Sequence, residues 1–291
     1  NQLKLNLKTM KKVLLKVLTV GVLFSLFLSA CQNDEEGSAD IATFDIESEA
    51  AFEATIEEVD LLSEAGMETL DEETGARVTR DELLDCAEVT KDTVNQIITI
   101  DFGDGCEGPH GVVKSGKIII EYDGRMKKSG SYRIVTFEDF YVDSIHVEGT
   151  RKVTNVTDED NAENSLSFET VLEGGKITFP DGTFATREAS HLRTLYWHLD
   201  RRENYATLDG SANGVNLNGD NYEVNILETL IFKRGCRDGR IIIPVAGVKQ
   251  IIVGDRSAII DYGDGDCDLR TQITTGEGDV VTRFIRPRGR R

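Results

Sequence analysis

Two turns carry the residue types best suited to holding a hard cation. "DFGDGC" at 101–106 and "DYGDGDCD" at 261–268 share an Asp-aromatic-Gly-Asp-Gly core displaced by 160 residues. Asp101 and Asp104 in the first, and Asp261, Asp264, Asp266 and Asp268 in the second, supply the carboxylate oxygens that Ca²⁺ prefers. Their glycines permit tight backbone curvature. The acids of the second turn fall at relative positions 1, 4, 6 and 8, which is not the spacing of an EF-hand loop. Aspartate and glycine are also favoured in turns for purely local reasons. The expectation is therefore structural turns without cofactor or metal, with Ca²⁺ at these six aspartates as the alternative.

Four cysteines stand near these turns: Cys86, Cys106, Cys236 and Cys267. An even number in an exported chain points to disulfides, and four thiols allow three pairings. No C-x-x-C spacing is present, and His110, His146, His191 and His198 complete no zinc pattern. Proximity in the chain favours Cys86 with Cys106 and Cys236 with Cys267, so that each bridge staples one of the two Asp-Gly turns.

Hydrolase motifs are absent: there is no Gly-x-Ser-x-Gly, Ser-x-x-Lys or His-Glu-x-x-His. A glycosidase carboxylate pair is defined in space rather than in sequence, and 52 acids offer too many candidates. Tyr196, Trp197 and Tyr205 are of the type that lines a sugar-binding surface, although half-buried strand aromatics are commoner.

A fifth cysteine, Cys31, has a different context. Lys11, Lys12 and Lys16 lead into "VLTVGVLFSLFL" at 17–28, a length that suits the apolar region of an export signal and is short for a membrane span. Leu28, Ser29, Ala30 and Cys31 then resemble a bacterial lipobox, in which small side chains fit a signal peptidase and the thiol receives diacylglycerol. This predicts a signal peptide over 1–30, with Met10 as its start, and a mature chain beginning at lipidated Cys31. Its acyl chains would hold the protein on a membrane, at about 0.8 kcal/mol per buried CH₂. Gln32 is not the aspartate that marks inner-membrane retention in enterobacterial lipoproteins, which favours the outer membrane. The acids of "QNDEE" also resemble surface-export signals of Bacteroidota lipoproteins, against the plainer reading of a solvated linker. The expected location is the cell surface, with the periplasmic face as the alternative.

The chain has 291 residues and a net charge of -19, unevenly spread. Residues 32–107 hold 24 acids against Arg77, Arg80 and Lys91, a net of -21. Nucleic acid is disfavoured as a partner, because phosphate binding needs a concentrated basic face. The basic cluster "RFIRPRGRR" reads as a solvated tail.

Residues 31–44 read as an acidic tether. Phe52, Ile56, Val59 and Leu62 then recur at spacings of four, three and three, which predicts an amphipathic helix from Glu47 to about Ala65 within a segment 45–80. Asp45 or Ser48 would cap it and Gly66 would stop it. Its other face carries Glu49, Glu53, Glu57, Glu58, Asp60 and Glu64. The favoured role is packing by the apolar stripe on the main domain, ahead of binding a partner.

From 81 to 291 the pattern is β. In "YEVNILETLIF", Tyr222, Val224, Ile226, Leu230 and Phe232 point one way and Glu223, Asn225 and Thr229 the other. Turn residues recur at Ser129-Gly130, Asp143-Ser144, Gly174-Gly175, Pro180-Asp181-Gly182, Asn218-Gly219, Gly254-Asp255 and Gly276-Glu277-Gly278, and no helical pattern separates the strands. The expectation is a mainly β fold of ten to fourteen antiparallel strands: a sandwich, a partly open barrel or a long curved meander. The Asp-Gly echo suggests either related strands in similar positions or convergence on one good turn.

The lipobox, the tether and helix, and the segments "IITIDFGDGC", "SGKIIIEYDGR" and "VTFEDFYVDSIHVEGTRKVTN" together resemble a group of hypothetical lipoproteins of Bacteroidota. "DFGDG" alone also resembles a strand-turn of polycystic-kidney-disease-type β-domains, whose other landmarks are missing. The lipoprotein resemblance implies an exported, lipid-anchored β-protein and carries no activity, cofactor or site residues. The expected function is a non-catalytic binding, adhesion or structural module of the cell envelope. A periplasmic carrier of lipid or apolar ligand and a carbohydrate-active hydrolase are the alternatives.

Overall fold

The computed structural model describes residues 46–70, 83–108, 111–158, 164–233, 236, 244–268 and 270–284. The expected signal peptide, Cys31, the tether, His110 and the arginines beyond 284 lie outside the described residues. Among the described residues, the α-helix α1 (Ile46–Glu68) precedes fourteen strands. These are β1 (Glu88–Asp92), β2 (Ile97–Asp101), β3 (Cys106–Glu107), β4 (Val113–Asp123), β5 (Tyr132–Val142), β6 (Ile145–Asn155) and β7 (Ser165–Thr178). They continue as β8 (Phe184–Tyr196), β9 (Tyr205–Val215), β10 (Asn221–Lys233), β11 (Ala246–Val253), β12 (Arg256–Asp264), β13 (Arg270–Thr275) and β14 (Val280–Phe284).

All fourteen strands join one antiparallel sheet in which each long strand pairs with its sequence neighbour, and β3 alone stands off this path, pairing with β4. Of the three architectures the sequence allowed, the chain adopts the meander, open at β1 and β14. The turns explain this. Asp143 and Ser144 connect β5 to β6 with φ of 48° and 69°, the doubly left-handed geometry that folds a strand straight back on its predecessor. A return this tight obliges β5 and β6 to pair with each other.

The sheet curls around α1. Glu53 of α1 lies 3.8 Å from Lys249 on β11, and Glu58 lies 2.9 Å from Lys114 on β4. β4 and β11 are seven steps apart in the sheet, about 34 Å if it were flat, whereas five helical residues advance only about 7.5 Å. Only a rolled sheet brings both strands to one short stretch of the helix. The buried residues of α1 accordingly include Thr55, Ser63, Ala65, Gly66 and Met67 besides Phe52, Val59 and Leu62. They cover about 200° of its circumference at 100° per residue, wider than the expected stripe.

One expectation about α1 needs correction. Gly66 does not end the helix, which continues to Glu68. A Cβ on Gly66 would come within 2.9 Å of Ile120 Cδ1 and 3.0 Å of Ile100 Cδ1, so the missing side chain lets the helix approach β2 and β4. The apolar stripe of α1 packs on the β-strands, the role favoured for it, and Asp45–Arg291 form one compact unit. The main core joins Val59, Leu62 and Ala65 to Ile98, Ile100, Ile118, Ile120, Val135 and Phe140. A smaller cluster joins Phe52 to Leu172, Ile177 and Ala185.

Candidate functional site: a basic trough occupied by an acidic helix

Along several strands a cation occupies a position of the inward, otherwise apolar register. Lys114 shares its face of β4 with Ile118 and Ile120, Arg133 shares β5 with Val135, and Arg151 lies between Val147 and Val153 on β6. Arg187 on β8 stands between Ala185 and Ala189, and Lys249 on β11 points the same way as Val253. All five cations are buried, which is costly unless each finds an opposite charge.

The acids of α1 meet that need for four of them. Glu58 binds Lys114, whose side chain is only 1% exposed. Asp60 takes Arg151 in a two-pronged pair, accepting from Nε and Nη2 at 2.6 Å each, the geometry in which a guanidinium fork matches a carboxylate. Glu64 lies 3.6 Å from Arg133 Nη2, and Glu53 lies 3.8 Å from Lys249. The helix is thus read by cations from the consecutive strands β4, β5 and β6 and from β11, about 100 residues further along the chain.

Local backbone makes room for these groups. Arg187 pairs across the sheet with Gly175 on β7 and Gly214 on β9, so no flanking side chain crowds its guanidinium, which lies 5.8 Å from the centre of the Phe52 ring. His191, two positions further along the same face, sits opposite Thr170 and Gly210. Burial pushes its imidazole down to about 4, and the Arg187 and Arg151 charges push in the same direction against Glu53. It is a neutral group among cations. Desolvation raises the carboxyls of Glu57 and Glu64, opposed chiefly by Arg193 and Arg133 respectively. Glu64 is 60% exposed, so solvent screens much of that effect.

The residues marked out by sequence are placed elsewhere. Cys86 bonds Cys106 and Cys236 bonds Cys267, with Cα separations of 5.6 and 5.0 Å, in the pairing that proximity favoured. Asp101 Oδ1 accepts the Gly103 N–H at 2.8 Å, and Asp261 Oδ1 accepts that of Gly263 at 2.8 Å. Phe102 and Tyr262 are both buried. The echoed sequences therefore share an Asp-to-Gly backbone bond and a buried aromatic near opposite edges of the sheet, but β2 ends at Asp101 whereas β12 continues as strand to Asp264. Gly103 N–H and then Lys117, 3.0 Å away, hold Asp101 below the usual carboxylate range. Asp261, Asp264, Asp266 and Asp268 line one shallow depression together with Arg270. Among the described residues no three His, Cys, Asp or Glu side chains gather as a metal site would require. Tyr196 and Tyr205 stack on each other at 4.5 Å, so each has one ring face taken.

Sequence reading marked the acids of α1 and missed their partners. A signal was present: Lys114, Arg133, Arg151, Arg187 and Lys249 each interrupt the apolar phase of a strand. No family model, curated protein or solved structure matches the chain.

Proposed function

We propose that this chain is a lipid-anchored protein of the bacterial outer membrane, exposed at the cell surface and akin to the hypothetical lipoproteins of Bacteroidota. In this reading its β-unit is a non-catalytic binding, adhesion or structural module. Cys31 follows the apolar run and small residues that lipidation requires. Fourteen residues separate it from Ile46, a reach of at most about 50 Å, so the β-unit would work close to the bilayer.

The observation that carries the non-catalytic reading is the filling of the rolled sheet. Its interior holds α1, and the acids Glu53, Glu58, Asp60 and Glu64 there each face a cation. A carrier of apolar ligand needs an open apolar cavity, and a glycoside hydrolase needs two carboxylates free to face a sugar. A filled interior directs binding to the outer surface and the loops.

The test has two arms. Cells expressing the chain are fed an alkyne-tagged palmitate analogue, and intact cells are shaved with protease. The reading requires label on the wild-type chain, none on Cys31→Ala, and loss of the protein on shaving. Unlabelled protein overturns the anchor, and complete protection from protease moves the module to the periplasmic face.

A further inference from the structure

Among the described residues the sheet ends at β1 and β14, each paired on one side only. An unpaired edge is a row of backbone donors and acceptors that another strand can take up, and proteins that stay single guard it with charge. The two edges differ in this respect. β1 carries Glu88, Lys91 and Asp92 among its five residues, and Lys91 is further tied to the Thr69 carbonyl at 2.7 Å. Paired antiparallel with itself about Thr90, β1 would set Glu88 against Asp92 twice, and like charges directly opposite repel. β14 reads VVTRF, with Arg283 as its one charge and neither proline nor glycine.

The β13–β14 hairpin shows which backbone groups remain at that edge. Thr275 N–H donates to the Asp279 carbonyl at 2.9 Å, and antiparallel bonding to one neighbour recurs at alternate residues. Val281 and Arg283 therefore bond to β13, whereas Val280, Thr282 and Phe284 turn their N–H and C=O groups to the free side. The side chains are exposed as well. On the face away from buried Ala258 and Ile273, a row runs from Ile259, 38% exposed, through Thr274 to Val280, 54% exposed, and reaches the edge there.

We propose that the β14 edge pairs with β14 of a second copy, antiparallel and centred on Thr282. In that register Thr282 meets Thr282 on a two-fold axis and Val280 meets Phe284 on either side, each pair exchanging both of its backbone hydrogen bonds. Pairs of β-branched with aromatic residues, and of Thr with Thr, are favourable across strands. The row from Ile259 to Val280 then continues into the second copy. Carried on by sequence, the same register sets Arg286 opposite the second copy's Gly278, between Glu277 and Asp279, so basic sequence after β14 complements the acidic turn before it. Pairing β14 with a second copy's β1 would instead set Glu88 and Asp92 against apolar residues and string copies head to tail. A seam of one strand is small, so the dimer is weak and reversible in solution. The inference rests on the free edge of the sheet and not on the lipid anchor.

Cysteine cross-linking of the full chain tests it. Thr282→Cys places two thiols at the two-fold axis with a Cα separation of about 5.5 Å, which a disulfide spans. Thr90→Cys does the same at the β1 edge. Under a mild oxidant Thr282→Cys should yield a species of twice the mass made of this chain alone, about tenfold or more above both wild type and Thr90→Cys. Adding Val280→Pro removes an N–H from the free edge and none from the β13 ladder, and should lower that yield about tenfold. If the proline lowers the melting temperature by more than about 3 °C, Val280→Asp takes its place, since a charge on an edge strand also blocks pairing. The inference is overturned by absence of the dimeric product, by a product with a different protein, by an equal yield from Thr90→Cys, or by a yield that the position-280 variant leaves unchanged.

Discussion

Asp60 and Arg151 are 91 residues apart in sequence and share two 2.6 Å hydrogen bonds between the middle of α1 and the middle of β6. Arg151 is largely buried and Asp60 about one-quarter exposed, at 10% and 24%. Removing one partner strands the other in a poorly solvated trough. Asp60→Ala is expected to cost about 3 kcal/mol in urea unfolding, whereas Asp60→Leu combined with Arg151→Met should stay within about 1 kcal/mol of wild type. A double variant as unstable as the single would mean that the trough depends on the charges themselves for folding.

The most buried pair should respond more sharply. Lys114 is 1% exposed and Glu58 12%, so Glu58→Gln leaves an ammonium with no compensating charge and nowhere to reach water. A loss of about 3–5 kcal/mol is expected. Lys114→Met in the same chain should restore most of it, which a pair of unfolding curves would show directly.

His191 makes stability depend on pH. Its imidazole titrates at about 4 in the folded chain against 6.5 in the unfolded one. Between those values the unfolded state binds one more proton, so stability falls as pH drops from 6.5 toward 4 and the His191 contribution flattens below that. The full effect is on the order of 3 kcal/mol. His191→Gln should be less sensitive over this window, and thermal melts at pH 7, 5.5 and 4.5 would reveal it. Equal slopes for variant and wild type would show that His191 is hydrated.

Gly116 of β4 is a position where the backbone itself forbids a side chain. Its φ is +78°, and a Cβ would be placed against the carbonyl group of Asp139 on β5. Register shifts between Ser115 and Lys117 at this point, a bulge in the β4–β5 ladder. Gly116→Ala is expected to cost about 2–4 kcal/mol by forcing the bulge apart, measured as a shift in urea midpoint. Gly130, also at positive φ but with nothing near its Cβ, should cost about 1 kcal/mol on the same substitution.

The two bridges close loops of 20 and 31 residues, worth about 3 and 4 kcal/mol in the chain-entropy picture. Cys86→Ser with Cys106→Ser should destabilise more than that figure, because Cys106 is also buried in the main core. Comparing this double variant with Cys236→Ser and Cys267→Ser by calorimetry separates loop closure from packing.

Much of the architecture was legible in the chain because it depends on neighbours in sequence. Alternation and turn residues determined antiparallel strands, and the 143–144 and 254–255 pairs marked hairpins whose geometry is set within four residues. Local pairing of cysteines followed from the same short range. The spacing of Phe52, Ile56, Val59 and Leu62 determined a helix with an apolar face, since helical period is a property of the backbone. What only the tertiary structure decided is how the sheet rolls. That curvature sums small twists and bulges over many strands, and no single segment carries it. Rolling brings Lys249 of β11 and Lys114 of β4 to one helix, turns the acids of α1 from a solvated face into ion-pair partners, and makes Gly66 a contact rather than a stop. Charge on a helix is written in its sequence; whether that charge faces water or a buried arginine is decided by the element that folds over it.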